Sequence, residues 1–399
     1  MMTPSSVFST APFPADPGAG PPHAAAPPLS SLTGTAMAYT QGLQGYASEH
    51  EQMTRMEIVR RLARLKGYAV SEEFAQAPAS GPVYLVPSDT LVGLERAQAL
   101  GIRSKDDFFG GVVPHAFVAT KAITHPLVAP DAPAPEGWNP AFSRLVGDAV
   151  LPGYSAFSRA DADTAVQALL QQGPVRIKLV RSTGGHGQTV VRDIAQAQAC
   201  LASLDDEMLA RDGVVIELNL AHVKTLSVGQ VMVAGLVATY YGYQRLVRNH
   251  HGDEVYGGSD LTVVRGDFAA LLSMTQDDEV RTAVEQALRY DSAATACFPG
   301  LFASRINYDV AQGAMPDGSW RSGVLEQSWR AGGATGAEIA ALEAFRADPQ
   351  RRVVKASGFE IFGADVPPPS GAVVYFHGVD EHVGPLTKYT TVSHDEHPT

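Results

Sequence analysis

The sequence predicts a protein of mixed strands and helices, α/β or α+β, and two observations carry that prediction. Short apolar runs closed by turn residues alternate with stretches whose apolar residues recur every three or four positions. The composition is that of a folded chain: 399 residues, 45% apolar and 18% charged, enough for two to four lobes around a shared site. Neither a helical bundle nor a β-sandwich alternates in this way.

The elements follow in order. The first 48 residues carry one charged side chain, Asp16, and eight of the first 30 are Pro, so this stretch is expected to be a disordered tail. Apolar residues at Met56, Ile58, Val59, Leu62 and Leu65 mark a helix over 53–66. A strand is expected at 83–87 and a helix at 90–99. Further strands are read at 176–180, 214–218, 228–233 and 237–241, and further helices at 160–172, 194–204 and 277–290. Tyr240, Tyr241 and Tyr243 read as half core and half surface on their strand. Residues 393–397 look like a second frayed end.

Charge excludes some classes of function. The net charge is −12, from 42 acidic against 30 basic residues, which leaves no basic excess for a nucleic-acid backbone. No apolar run approaches the roughly 18–20 residues that span a bilayer. Two cysteines build neither a disulfide framework nor a four-thiolate zinc site. The expectation is a soluble, cytoplasmic protein with no nucleic-acid or membrane partner. Only seven of the basic residues are Lys, so each can be weighed individually.

The sharpest motif is Gly173-Pro-Val-Arg-Ile-Lys178-Leu-Val-Arg-Ser182-Thr183-Gly184-Gly185-His-Gly187. A strand carrying Lys178 runs into a loop of glycines and hydroxyls, and a second strand follows. Glycines let backbone N–H groups approach phosphates closely. The lysine precedes the glycines, so this is not a Walker loop, and no helix opens after it, so it is not a Rossmann turn. The alternative is a flexible hairpin without a ligand. Farther on, 213–220 is a strand ending in Glu217 and Leu218, able to offer a carboxylate and backbone to an adenosine.

A second motif can be drawn from spacing. Alternation puts Arg305, Asn307 and Asp309 on one face of a strand, and Glu326, Ser328 and Arg330 on one face of another. Asp317-Gly318 between them is a two-residue hairpin signal. Pairing Pro316 with Ser319 then sets Asp309 opposite Glu326, Asn307 opposite Ser328 and Arg305 opposite Arg330. A bulge near 312–313 would shift this register by one. Facing carboxylates repel unless something positive lies between them, and Mg2+ is suited to that place. Two solvated acids on an exposed face are the alternative.

Taken in this order, the lysine strand with its glycine loop, the strand ending in Glu, and the acid followed by an E-x-x-x-R strand resemble the ATP-grasp superfamily, which includes biotin carboxylase and D-alanine:D-alanine ligase. The resemblance covers roughly residues 70–365. It is nearest to a bacterial ATP-grasp-like family of unknown function, through Asp107-Asp-Phe-Phe-Gly-Gly-Val-Val-Pro-His-Ala-Phe-Val-Ala-Thr-Lys121 and Gly323-Val-Leu-Glu-Gln-Ser-Trp-Arg-Ala-Gly-Gly333.

The resemblance implies an ATP-grasp fold: a small N-terminal α/β lobe at 49–150, and two α+β lobes, at 151–245 and 246–390, that clasp a nucleotide. It implies ATP and Mg2+ as cofactors. Lys121 and Lys178 would contact the phosphates, with Ser182, Thr183, Gly184, Gly185 and Gly187 as the phosphate loop and Glu217 and Leu218 as the adenine hinge. Asp309 and Glu326 would hold Mg2+. Arg330, with Arg305 beside it, would act on the substrate or the transferring phosphoryl group. Superfamily members usually carry E-x-N where this chain has Ser328, so Asn307, or a water held by Ser328, is expected to supply the missing metal oxygen.

The implied activity is that of an ATP-dependent carboxylate–amine ligase, with a small-molecule carboxylate and a nucleophile as partners. A kinase acting on a hydroxyl and a non-catalytic nucleotide-binding module are the alternatives. The oligomeric state is left open, a homodimer being one form to test.

Overall fold

The structure, a computed structural model, describes residues 33–40, 48–71, 81–182, 187–363 and 366–393. In the first lobe, β1 (Thr35–Tyr39) is the middle strand of a parallel sheet, flanked by β2 (Ala69–Ser71) and β3 (Val83–Pro87). Helix α1 (Glu49–Lys66) packs Ile58, Val59, Leu62 and Leu65 into the same core and ends at Gly67 in the left-handed conformation (φ 68°).

Strand β1 corrects the expectation of a disordered tail through residue 48. A middle parallel strand is covered on both faces, so it needs neither charge nor alternation, and the lack of both at 35–39 is the mark of burial. Residues 1–32 and 41–47 of the expected tail, and 394–399 at the other end, lie outside the described residues.

Next come β4 (Leu91–Val92), α2 (Leu94–Ala99) and β5 (Gly111–Val113), with β13 (Phe302–Ala303) joining the small sheet β13-β5-β4. Helix α3 (Ala141–Val146) leads into a lobe with its own core, made of β6 (Gly153–Ala156), α4 (Arg159–Leu170), β7 (Val175–Leu179), β8 (Gln188–Val191), α5 (Ile194–Ala202), α6 (Asp206–Asp212) and β9 (Val214–Leu218). Its antiparallel sheet has the order β6-β9-β7-β8.

The remaining chain builds an antiparallel sheet of eight strands in the order β15-β14-β10-β11-β12-β16-β18-β17. They are β10 (Ala221–Val233), β11 (Leu236–Arg248), β12 (Glu254–Arg265), β14 (Arg305–Ala314), β15 (Trp320–Ser328), β16 (Val353–Phe362), β17 (Val373–Asp380) and β18 (Gly384–Ser393). Helices α7 (Phe268–Met274), α8 (Asp278–Cys297) and α9 (Thr335–Ala347) cover it. Asp277 caps α8 by accepting from the N–H groups of Glu279 and Val280.

The expected lobe border at 245 falls inside this sheet. Strands β10 and β11 pair with each other and with β14 and β12, so the sheets divide between Leu218 and Ala221. Alternation cannot tell which of two sheets a strand joins. The tip of the β14–β15 hairpin reaches back to the middle lobe, where a Cβ placed on Gly173 would meet Pro316 Cγ at 2.3 Å.

Candidate functional site

Lys178 on β7 and Glu217 on β9 are diagonal neighbours across a pair of strands, since Lys178 faces Val215 and Arg176 faces Glu217. Both side chains are buried, with Nζ 2.7 Å from Glu217 Oε1. The second carboxylate oxygen is 3.1 Å from His125 Nε2. Burial alone would raise the Glu217 carboxyl, but the Lys178 ammonium and the His125 hydrogen bond outweigh it and hold the pKa at about 2. Burial keeps His125 below its ordinary value in spite of Glu217, so its Nε2–H is the donor of that bond. Glu217 is therefore turned to a lysine, and the Leu218 N–H donates to the Pro152 carbonyl at 2.9 Å.

Lys121 opens a 3-10 turn (Lys121–Thr124) and is 5% exposed. Its Nζ lies 2.6 Å from Glu326 Oε2 and donates to the Ser182 carbonyl at 2.9 Å. One ammonium thus joins the end of the first segment, the loop that follows Lys178, and the β14–β15 hairpin. Gly187 closes that loop with φ 64°, and its carbonyl accepts from the Leu179 N–H. Thr183, Gly184 and Gly185 lie outside the described residues.

On the hairpin, Asp309 faces Glu326 and Asn307 faces Ser328, as spacing predicts, but the turn is different. Met315 N–H donates to the Ser319 carbonyl and Gly318 has φ 83°, so the loop has three residues, and Pro316 does not pair with Ser319. From Ala314–Trp320 to Val310–Val324 the register is one residue off the expected one. An extra residue, Leu325, restores it before Asp309. The two pairs Asp309–Glu326 and Asn307–Ser328 hold because two offsets cancel, whereas the expected facing of Arg305 and Arg330 is not seen, since β15 ends at Ser328 and Arg330 lies beyond the ladder.

Asp309 accepts from Asn307 Nδ2 at 2.9 Å and from Ser227 Oγ at 3.4 Å. Burial first, and the Glu326 carboxylate second, push its pKa up. Burial and a neighbouring like charge both disfavour a second negative charge here. The donor set, two facing carboxylates with an ammonium resting on one of them, fits a hard divalent ion. Among the described residues no third His, Cys, Asp or Glu joins them.

Arg305 is not placed to touch a substrate. It is 1% exposed, and its guanidinium donates to Glu338 through Nε and Nη2, and to the Ser328 carbonyl, Ser328 Oγ (3.3 Å) and the Arg330 carbonyl through Nη1. Ser328 Oγ consequently has a guanidinium on it. The carbonyl oxygen of Asn307 meets Tyr240 Oη at 2.9 Å, and the same hydroxyl is 2.5 Å from Glu338 Oε1. Tyr240 is fully buried within this network.

Arg330 points elsewhere. Its Nε is 3.5 Å from Asp89, and it lines a cavity of about 590 Å3 with Arg55, Lys388, Glu360, Gly332 and Gly333. Sequence reasoning missed His125 and Glu338. For Glu338 a signal exists: it shares its helix face with Ala341 and Phe345, both buried, and an acid on an apolar face needs a buried partner.

A family model described as "Protein of unknown function (DUF3182)" matches residues 38–390. A search of curated proteins finds no match. Among solved structures, N5-carboxyaminoimidazole synthetase from Staphylococcus aureus, complexed with ADP, aligns with a TM-score of 0.50 and 10% identity, over 92% of this chain and 94% of that one. A biotin carboxylase–ATP complex from Campylobacter jejuni aligns at 0.50 and 10%, over 92% and 89%. N5-carboxyaminoimidazole synthase from Aspergillus clavatus, with ADP and 5-aminoimidazole ribonucleotide, aligns at 0.50 and 12%, over 90% and 94%. Identities this low speak to the fold alone, and that fold is ATP-grasp. Among the described residues no helix is long and apolar enough to cross a membrane.

Proposed function

The chain belongs to the family described as proteins of unknown function (DUF3182), and on its ATP-grasp fold we propose that it is an ATP- and Mg2+-dependent ligase joining a small-molecule carboxylate to an amine or other nucleophile. The observation that carries this reading is a pair of buried ammonium groups. Lys178 rests on Glu217, Lys121 rests on Glu326, and both flank the base of the loop from Ser182 to Gly187. Buried lysines are scarce, and two of them around one glycine loop suit a polyphosphate.

In the proposed reaction a substrate carboxylate oxygen bonds to the γ-phosphorus and the bond to the β-phosphate oxygen breaks. ADP and an acylphosphate result. The nucleophile then forms a bond to the acyl carbon and inorganic phosphate leaves. Lys178 and Lys121 neutralise the phosphates, and Arg330, facing the cavity, takes the acceptor carboxylate. Asp309 and Glu326 would hold Mg2+, which supplies charge neutralisation across the phosphates when bound.

The test is thermal unfolding with Mg·ADP, on the wild type and on Lys178→Ala. Ligand at about 100 times its Kd stabilises by roughly 2.7 kcal/mol, a rise of a few degrees that the variant should lack. A wild type indifferent to every purine nucleotide would sink the proposal. Where binding is found, ADP with free phosphate would mark a ligase and a phosphorylated product a kinase.

A further inference from the structure

We propose that the carboxamide of Asn307 is the third oxygen ligand of the cation held by Asp309 and Glu326, and that Tyr240 is the residue that positions it. This inference rests on the nucleotide and cation reading above and goes on to name how the cation shell is completed.

Tyr240 has one hydroxyl proton and two oxygens in reach, Glu338 Oε1 at 2.5 Å and Asn307 Oδ1 at 2.9 Å. Glu338 already accepts from Arg305 through Nε and Nη2, so it is a carboxylate that can only accept. The proton belongs on the shorter contact, to Glu338. Tyr240 Oη and Asn307 Oδ1 then face each other with no hydrogen between them.

Turning the carboxamide over about Cβ–Cγ removes the conflict, because its two ends are nearly the same size and its neighbours decide which way it lies. Nδ2 then donates to Tyr240 Oη. Oδ1 takes the place of Nδ2, 2.9 Å from Asp309 Oδ1. Two oxygens that close require a positive charge between them. Ligands at about 2.0–2.1 Å on an octahedral Mg2+ are separated along an edge by about 2.9 Å, the square root of two times the bond. The spacing of residues 307 and 309 matches that edge.

Without the cation, the amide serves Asp309 as a donor and leaves Tyr240 frustrated. With it, every group is satisfied. Ser328 cannot be the third ligand on the same terms, since Arg305 Nη1 lies 3.3 Å from its Oγ. That guanidinium cannot withdraw without stranding Glu338, which is fully buried.

Mn2+ binding to the full-length protein, followed by electron paramagnetic resonance with a non-hydrolysable ATP analogue present, tests this. Asn307→Leu should weaken Mn2+ by about tenfold or more, while Asn307→Asp, which keeps an oxygen, should hold it. Ser328→Ala should stay within about twofold. Tyr240→Phe should weaken Mn2+ several-fold, as loss of an orienting partner does. Tyr240→Phe combined with Asn307→Asp should recover the affinity of Asn307→Asp alone, because a carboxylate needs no orienting. Melting temperatures verify that each variant is folded. Wild-type affinity in folded Asn307→Leu, or an equal loss in Ser328→Ala, would overturn the inference and leave the nucleotide reading standing. A wild type that binds neither the analogue nor Mn2+ would overturn both.

Discussion

Glu217 meets two buried side chains at once, Lys178 at 2.7 Å and His125 at 3.1 Å. Its carboxyl titrates near 2 against an ordinary 4.5. A depressed carboxyl contributes stability that is complete above the unfolded value and is lost as pH falls through the folded one. Replacing it with Gln leaves Lys178 buried without its counter-charge, which costs about 3–5 kcal/mol at pH 7. The stability gap between wild type and Glu217→Gln should therefore narrow between pH 4.5 and 2, as melting temperatures across that range would record. A gap that persists unchanged at pH 2 would show that the Glu217 carboxylate is not what the variant loses. At this scale the sequence is readable where residue type is scarce: among so few lysines, Lys121 and Lys178 stand out. It is unreadable where a role depends on a distant partner. Nothing local to His125 announces Glu217, 92 positions away, and Arg305 passes for a catalytic group until Glu338 is seen against it.

The hairpin shows what pattern can and cannot deliver for an element. Alternation groups Asp309 with Asn307 and Glu326 with Ser328, each on one face of its own strand, but the facing of Asp309 and Glu326 is drawn from the turn and survives because a bulge offsets the turn. The turn itself follows Pro316-Asp317-Gly318 rather than Asp317-Gly318, a choice between two favourable geometries that the residues do not separate. Leu325 absorbs the difference. Deleting Leu325 therefore makes the ladder regular and still leaves Asp309 opposite Glu326. Mn2+ affinity in that variant should remain within about threefold of wild type, at a modest cost in stability from lost packing against Leu151, Leu220 and Ala311. Loss of binding by a folded deletion variant would mean that the ladder does not set the pair.

For the molecule as a whole, one core runs from the first lobe into the large sheet. Ala36, Ile58, Leu62 and Tyr84 share a cluster with Val231, Tyr240, Leu261 and Leu342. The middle lobe has a separate cluster around Val166, Ile177, Leu201 and Ile216. Hydrogen exchange should reflect this division. Amides of β1 and of β10 to β12 are expected to open with a common free energy despite the distance between them in sequence, and β7 to β9 with their own. Rapid exchange throughout β1 beside a protected β10 would refute the shared core. The class was legible from periodicity, whereas β1 and the partition into sheets were not, because burial on both faces erases alternation and pairing partners are chosen by the assembled fold.

The close contact between Pro316 and Gly173 has a mechanical meaning. The middle lobe meets the Pro316 ring at the hairpin tip through a glycine that has no side chain of its own, and β7 leads away from that point to Leu179. From Gly173 to Leu179, six steps at about 3.3 Å each make an arm of roughly 20 Å. A turn of about 10° at this fulcrum would carry the far end of the arm by roughly 3.5 Å and leave the contact itself almost still. A methyl group at position 173 would reset the resting angle of the whole lever without touching either lysine.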